Sequence, residues 1–176
     1  MYGKLSDIAP TVFTKSSGTN FKKGLRTIAD ALGRNDELAS ELESYDARAA
    51  EVGKAVDAAG KQATIVRFLP SETRLYGPDT FSGTVLTDIG FRLGDKGFED
   101  PYSMAKISPE QSGKLQGDVV FRTTYGDQEK TAFGEMQPLL EQLDAPVYAV
   151  GDREWMLGIG LIGAKAIFSD VERLMR

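Results

Sequence analysis

Residues 63–90, ATIVRFLPSETRLYGPDTFSGTVLTDIG, constrain the fold more tightly than any other stretch of the chain. Apolar runs at 64–69 and 73–76 flank Pro70-Ser71-Glu72. β-branched and aromatic residues on either side of a turn-forming interruption specify strand, turn, strand. Gly77-Pro78-Asp79 closes the second strand. Phe81, Val85, Leu86 and Ile89 then recur at helical spacing, so 82–89 reads as a short amphipathic helix ending at Gly90. The polar content of this segment is unusual, because Arg67, Arg74 and Tyr76 sit in or beside strands that should otherwise be buried. Two guanidiniums there either pair with nearby carboxylates or face a cleft that accepts an anion.

The rest of the chain alternates helix and strand. Residues 2–20 carry little periodicity and read as loop. Asn20 is placed to cap a helix through Leu32, with Phe21, Leu25, Ile28, Ala29 and Leu32 on one face and Gly33 at its end. Asn35 or Asp36 caps a second helix, along which Leu38, Leu42, Tyr45, Ala49, Val52 and Val56 form a single stripe towards Gly60. That is a span of roughly 24 residues or about 36 Å, a rigid spar across the domain. Residues 92–102 are rich in glycine and charge and read as irregular. Ser108, Pro109 and Gln111 form a capping box that opens a helix to about Leu115. Residues 119–125 are a buried-strand pattern containing Arg122 and ending in Tyr125. Residues 130–143 read as helix kinked at Pro138, 146–150 as a short strand, and 156–175 as the closing helix.

This alternation predicts an α/β fold, a three-layer lobe with a mostly parallel sheet flanked by helices and preceded by one long helix. In such a sheet ligands bind beyond the carboxyl ends of the strands. Arg67, Tyr76, Arg122, Tyr125 and Trp155 are all expected on that rim.

Composition narrows the chemistry. Twenty-one Lys+Arg against 26 Asp+Glu give a net charge of −5, which argues against a nucleic-acid partner. No apolar run approaches the roughly 18 residues of a membrane helix. The chain has neither Cys nor His, so disulfides, thiolate chemistry and the commonest metal ligands are excluded and no metal site is expected. Gly158-Ile159-Gly160-Leu161-Ile162-Gly163 matches the dinucleotide pattern, but no strand precedes it directly and none can follow it, so close packing at a helix start is its expected role. Phe81-Ser82-Gly83 lacks the glycine a nucleophile elbow requires. The carboxylates show no acid–base spacing. No catalytic residue and no cofactor are expected, and binding is favoured over turnover.

In order and spacing, IAPTVF (8–13), the helix pair at 21–52, VRFLPSETRLYGPDTFSGTVLTDIGF (66–91), ISPEQSGKLQGDVVFRTTYG (107–126) and the segment 138–174 resemble the C-terminal lobe of a known family. These are the solute-binding proteins of ATP-driven importers for iron-siderophores, haem and cobalamin. The RLYGPDTFSG and DREW segments are most similar to the ferric-siderophore branch.

The resemblance implies two α/β lobes joined by one long helix, matched here by residues 36–60. It divides the chain into a linker remnant (1–20), a helix pair containing the interlobe helix (21–60) and the substrate-binding lobe (61–176). It implies ligand contacts at Arg67, Arg74, Tyr76, Arg122, Tyr125 and Trp155, because guanidinium and aromatic faces suit carboxylate, catecholate or hydroxamate oxygens around an already coordinated iron. Glu110 matches the acidic residue that docks on the membrane permease; an acid at a helix N-terminus is equally compatible. The expected partners are therefore a ferric siderophore and an ABC-importer permease, for a monomer working extracytoplasmically, periplasmic or lipid-anchored. A first lobe, its docking acid, an export signal and a lipid-bearing cysteine have no counterpart in the sequence, so the chain reads as a fragment. Haem or cobalamin is the alternative ligand, and a small α/β enzyme or standalone interaction domain the alternative class.

Overall fold

The computed structural model describes residues 2–16, 18–99 and 101–176. The loop readings at Ser17 and Asp100 lie outside the described residues. Five strands form one sheet: β1 (Ala63–Leu69), β2 (Glu72–Tyr76), β3 (Met104–Ile107), β4 (Val119–Thr124) and β5 (Val147–Ala149), in the order β3-β2-β1-β4-β5. The hairpin read from 64–76 is present, and β1 also pairs in parallel with β4. Among the described residues there are six α-helices: α1 (Tyr2–Ser6), α2 (Phe21–Leu32), α3 (Asn35–Ala55), α4 (Phe81–Ile89), α5 (Phe133–Leu140) and α6 (Leu161–Met175).

The expected layered α/β class is what forms. The sheet is mixed: β1, β3, β4 and β5 run in one direction and β2 runs against them. β4 and β5 join in parallel through helical crossovers, but the tight β1–β2 connection forces an antiparallel pair, and β3 adds a second. β3 has no counterpart in the sequence reading. It is only four residues long, and Ala105 and Ile107 are its sole buried side chains.

Strand alternation divides the interior into two cores. On one face Ile65, Tyr76 and Phe121 pack with α3, α4 and α6 around Tyr45, Val52, Leu86, Trp155 and Phe168. On the other, Val66, Phe68, Leu75 and Val120 pack with Phe133, Met136 and Leu140 of α5. Period-two side chains of the same strands thus feed opposite layers. Residues of 21–60 and of 61–176 share the first core.

Helix limits differ from the sequence reading where caps decide them. Asn20 occupies the cap position of α2, but its backbone is left-handed at φ 53° and its side chain makes no capping bond. α3 begins at Asn35 and stops at Ala55, short of Gly60, because Asp57 turns left-handed at φ 50°. The helix read at 130–143 is confined to α5 after a separate 3₁₀ turn at Gln128–Lys130, with Pro138 inside α5. The capping box holds, with the Ser108 amide donating to Gln111 Oε1 at 3.2 Å, although Pro109–Leu115 winds as 3₁₀ helix. The closing helix is broken. A π turn, Arg153–Leu157, is separated from α6 by Gly160 at φ 140°. An ideal Cβ at Gly163 would lie 1.9 Å from the Gly158 carbonyl oxygen, so the glycine pattern here serves close backbone packing.

Candidate binding cleft

The carboxyl end of β1 carries Arg67. Its register partners are Arg74 on β2 and Thr123 on β4, so all three project from the face of the first core. Like charges directly opposite on neighbouring strands repel, and each arginine has its own carboxylate. Arg67 donates from Nε to Asp152 Oδ1 and from NH2 to Asp152 Oδ2, both at 2.7 Å. Glu72 pairs with Arg74 and also with Lys106. Thr123 Oγ1 donates to the Asp152 carboxylate at 3.4 Å, and Arg67 NH1 donates to the Tyr76 hydroxyl at 3.3 Å. The Tyr125 ring, half exposed, lies 5.3 Å from the same guanidinium.

The electrostatics follow. Burial disfavours the Arg67 charge, but the Asp152 and Tyr76 bonds outweigh it, and the guanidinium is held more firmly protonated than an ordinary arginine. The Glu72 carboxyl is lowered, first by Lys106 and then by Arg74. Arg74 Nε is buried without a partner among the described residues.

Above Arg67 and Tyr76 opens a cleft of about 1900 Å³, bounded by the start of α4, by α2 and by the extended segment before it. Part of its apolar lining is exposed: Val12, Phe13, Ile28, Leu32 and Tyr102 are between 48% and 67% accessible, while Phe81, Trp155 and Met156 are buried. The apolar stripe read on α2 is therefore covered at Phe21 and Ala29 and left open at Ile28 and Leu32.

The structure brings together Arg67, Tyr76 and Tyr125, while Arg74 shares their sheet face but turns to Glu72. Arg122 is elsewhere. Its partner in register is Val66, so it projects from the opposite face, where its guanidinium lies 4.4 Å over the Phe133 ring and bonds Gln128. Burial lowers its pKa. Trp155 lines the cleft from beneath rather than at the rim: it is fully buried against Phe121, with Nε1 donating to Asp170 at 3.0 Å. Glu110 stands exposed in the first 3₁₀ turn, its carboxyl lowered by the Ser108 hydroxyl. Sequence reasoning missed Asp152, Glu72 and Lys106. Glu72 was within reach, since it lies two positions from Arg74 on one strand face. Asp152 is 85 residues from Arg67 and only the fold joins them.

A family model described as periplasmic binding protein matches residues 1–153. Over 98% of its length the chain is 29% identical to the probable siderophore-binding lipoprotein YfiY of Bacillus subtilis (strain 168), covering 58% of that protein. Over 97% it is 24% identical to the achromobactin-binding periplasmic protein of Dickeya dadantii (strain 3937), covering 60%. The chain thus spans about three-fifths of the length of these relatives. The crystal structure of Staphylococcus aureus SirA complexed with staphyloferrin B superposes with a TM-score of 0.84 at 25% identity, over 98% of this chain and 66% of that one.

Proposed function

Because this chain belongs to the periplasmic binding protein family, we propose that it is the C-terminal substrate-binding lobe of an extracytoplasmic protein that delivers a ferric siderophore to the permease of an ABC importer. The observation carrying this reading is the open cleft floored by Arg67 and Tyr76, with Tyr125 against the same guanidinium. Guanidinium N–H groups and phenol hydroxyls are directional donors for the oxygens around a chelated iron, and the apolar lining suits the chelator's carbon frame. The protein works by binding and not by turnover, and the metal arrives inside its ligand. Relatives whose names specify siderophore or achromobactin binding support the ligand class. α3 is the helix joining this lobe to its partner, and Glu110, exposed on a helical first turn, is the permease-docking acid.

Titration of the chain with ferric and metal-free siderophores, read by the fluorescence of its single tryptophan, tests the proposal. Trp155 lies directly beneath the cleft, so an absorbing ferric complex should quench it saturably and the metal-free form much less. As one lobe the chain supplies part of the contacts. If about half of a −10 kcal/mol interaction is present, the dissociation constant falls near 0.1 mM or weaker, roughly. Saturable quenching by haem or cobalamin and by no ferric siderophore would overturn the ligand assignment.

A further inference from the structure

Arg67 is the cation of the cleft floor, and its charge is already matched, whereas Lys15 and Lys23 on the cleft wall are exposed and enter no ion pair among the described residues. Asp152 takes two of its N–H groups in a planar two-bond pair, with both side chains about nine-tenths covered, at 11% and 13% exposure. A third N–H goes to Tyr76 and the ring of Tyr125 packs near the guanidinium. A guanidinium has five N–H donors, so two remain to meet a ligand. The pair can donate hydrogen bonds while contributing no net charge. Nor is it free to part, because an anion drawing Arg67 away would leave the covered Asp152 carboxylate with only the long Thr123 bond. In the same row Arg74 pairs with Glu72, a carboxylate that it shares with Lys106.

We propose that Asp152 limits the charge of the ligand: by matching Arg67 it removes one positive charge from the floor of a cleft whose wall still carries Lys15 and Lys23, and so favours ferric complexes of low negative charge over polyanions. This rests on the siderophore reading above. Asp152 is then a positioning residue acting through Arg67, and the two tyrosines are aligned by the same guanidinium. The polyanion that two unmatched arginines would attract is disfavoured, because every added negative charge meets Asp152 as well as Arg67.

The test compares two ferric probes of different charge, ferrioxamine E (a neutral trihydroxamate) and ferric enterobactin (a trianionic tricatecholate), on the chain and on Asp152→Asn. The wild type should bind the neutral probe at least as tightly, with affinity nearly independent of salt. Asp152→Asn should shift the ratio of dissociation constants at least about tenfold towards the trianion at low salt, since it exposes a full charge. Asp152→Glu, restoring the carboxylate, should return the ratio towards that of the wild type. A structural role alone would weaken both probes in parallel with thermal stability and leave the ratio fixed, which would overturn the proposal. So would a wild-type preference of tenfold for the trianion. If Asp152→Asn fails to fold, the wild-type ratio and its salt dependence decide. Binding of neither probe by the wild type, or binding with the wrong charge preference, overturns this inference; the siderophore reading falls as well only if haem or cobalamin binds and no ferric siderophore does.

Discussion

Gly83 in α4 and Gly134 in α5 are both helical, yet their surroundings set opposite requirements. An ideal Cβ at Gly83 would lie 1.9 Å from the Gly77 carbonyl oxygen, while one at Gly134 would meet nothing within 4 Å. Gly83→Ala should therefore destabilise by about 2–4 kcal/mol, since backbone must move at the cleft's edge. Gly134→Ala should stabilise by about 0.5–1 kcal/mol through helix propensity and a less free unfolded chain. Denaturant melts of the two variants check both signs. Glu72 gives a residue-scale pH dependence. Lys106 and Arg74 hold its carboxyl below the ordinary 4.5, so its contribution is present above that value and is lost as pH falls through the lower folded value. The wild type should lose more stability than Glu72→Gln on acidification below about 4.5; equal slopes would show that the pairs contribute nothing. At this scale the sequence identified which cations were out of place but not what they paired with. A period of two could have supplied Glu72, whereas Asp152 depends on where β5 ends.

The helices were legible at the scale of elements because one face of each repeats with the helical period. α3 illustrates what that pattern does and does not contain. Of its stripe, Tyr45, Ala49 and Val52 are buried, whereas Leu38 and Leu42 are only half covered. Val52→Ala should accordingly cost about 2 kcal/mol, with Leu42→Ala well below that and Glu51→Ala within about 0.5 kcal/mol. A larger loss at Leu42 than at Val52 in chemical denaturation would mean that the packed half of α3 is misassigned. A buried hydroxyl fixes the same helix to its neighbours: Tyr45 donates to Asp88 at 2.6 Å, and Lys22 of α2 reaches Asp88 at 2.9 Å. Periodicity holds no information on such a contact between helices. Nor did it find β3, too short to show a pattern, or the break before α6, which depends on backbone crowding at Gly158 and Gly163. Tyr45→Phe should cost about 1–2 kcal/mol, at the lower end because Lys22 still serves Asp88.

For the whole molecule, the layered α/β class followed from the alternation of elements, and residues far apart in sequence carried the resemblance to binding-protein lobes. Strand order and hand of pairing were less accessible, and with them the face on which each arginine lies. Arg67 and Arg122 were both expected on one rim. In the folded sheet they occupy neighbouring strands and opposite faces, Arg67 beneath the cleft and Arg122 over Phe133. That separation offers the most direct test of the central claim, that a ferric siderophore sits in the cleft on the Arg67 face. Affinity for one ferric siderophore should be measured for the wild type, Arg67→Ala and Arg122→Ala, with folding of each verified by circular dichroism. The account predicts at least about tenfold weaker binding in Arg67→Ala and little change in Arg122→Ala. Loss of binding in Arg122→Ala with Arg67→Ala unaffected would contradict it and move the site to the other face of the sheet.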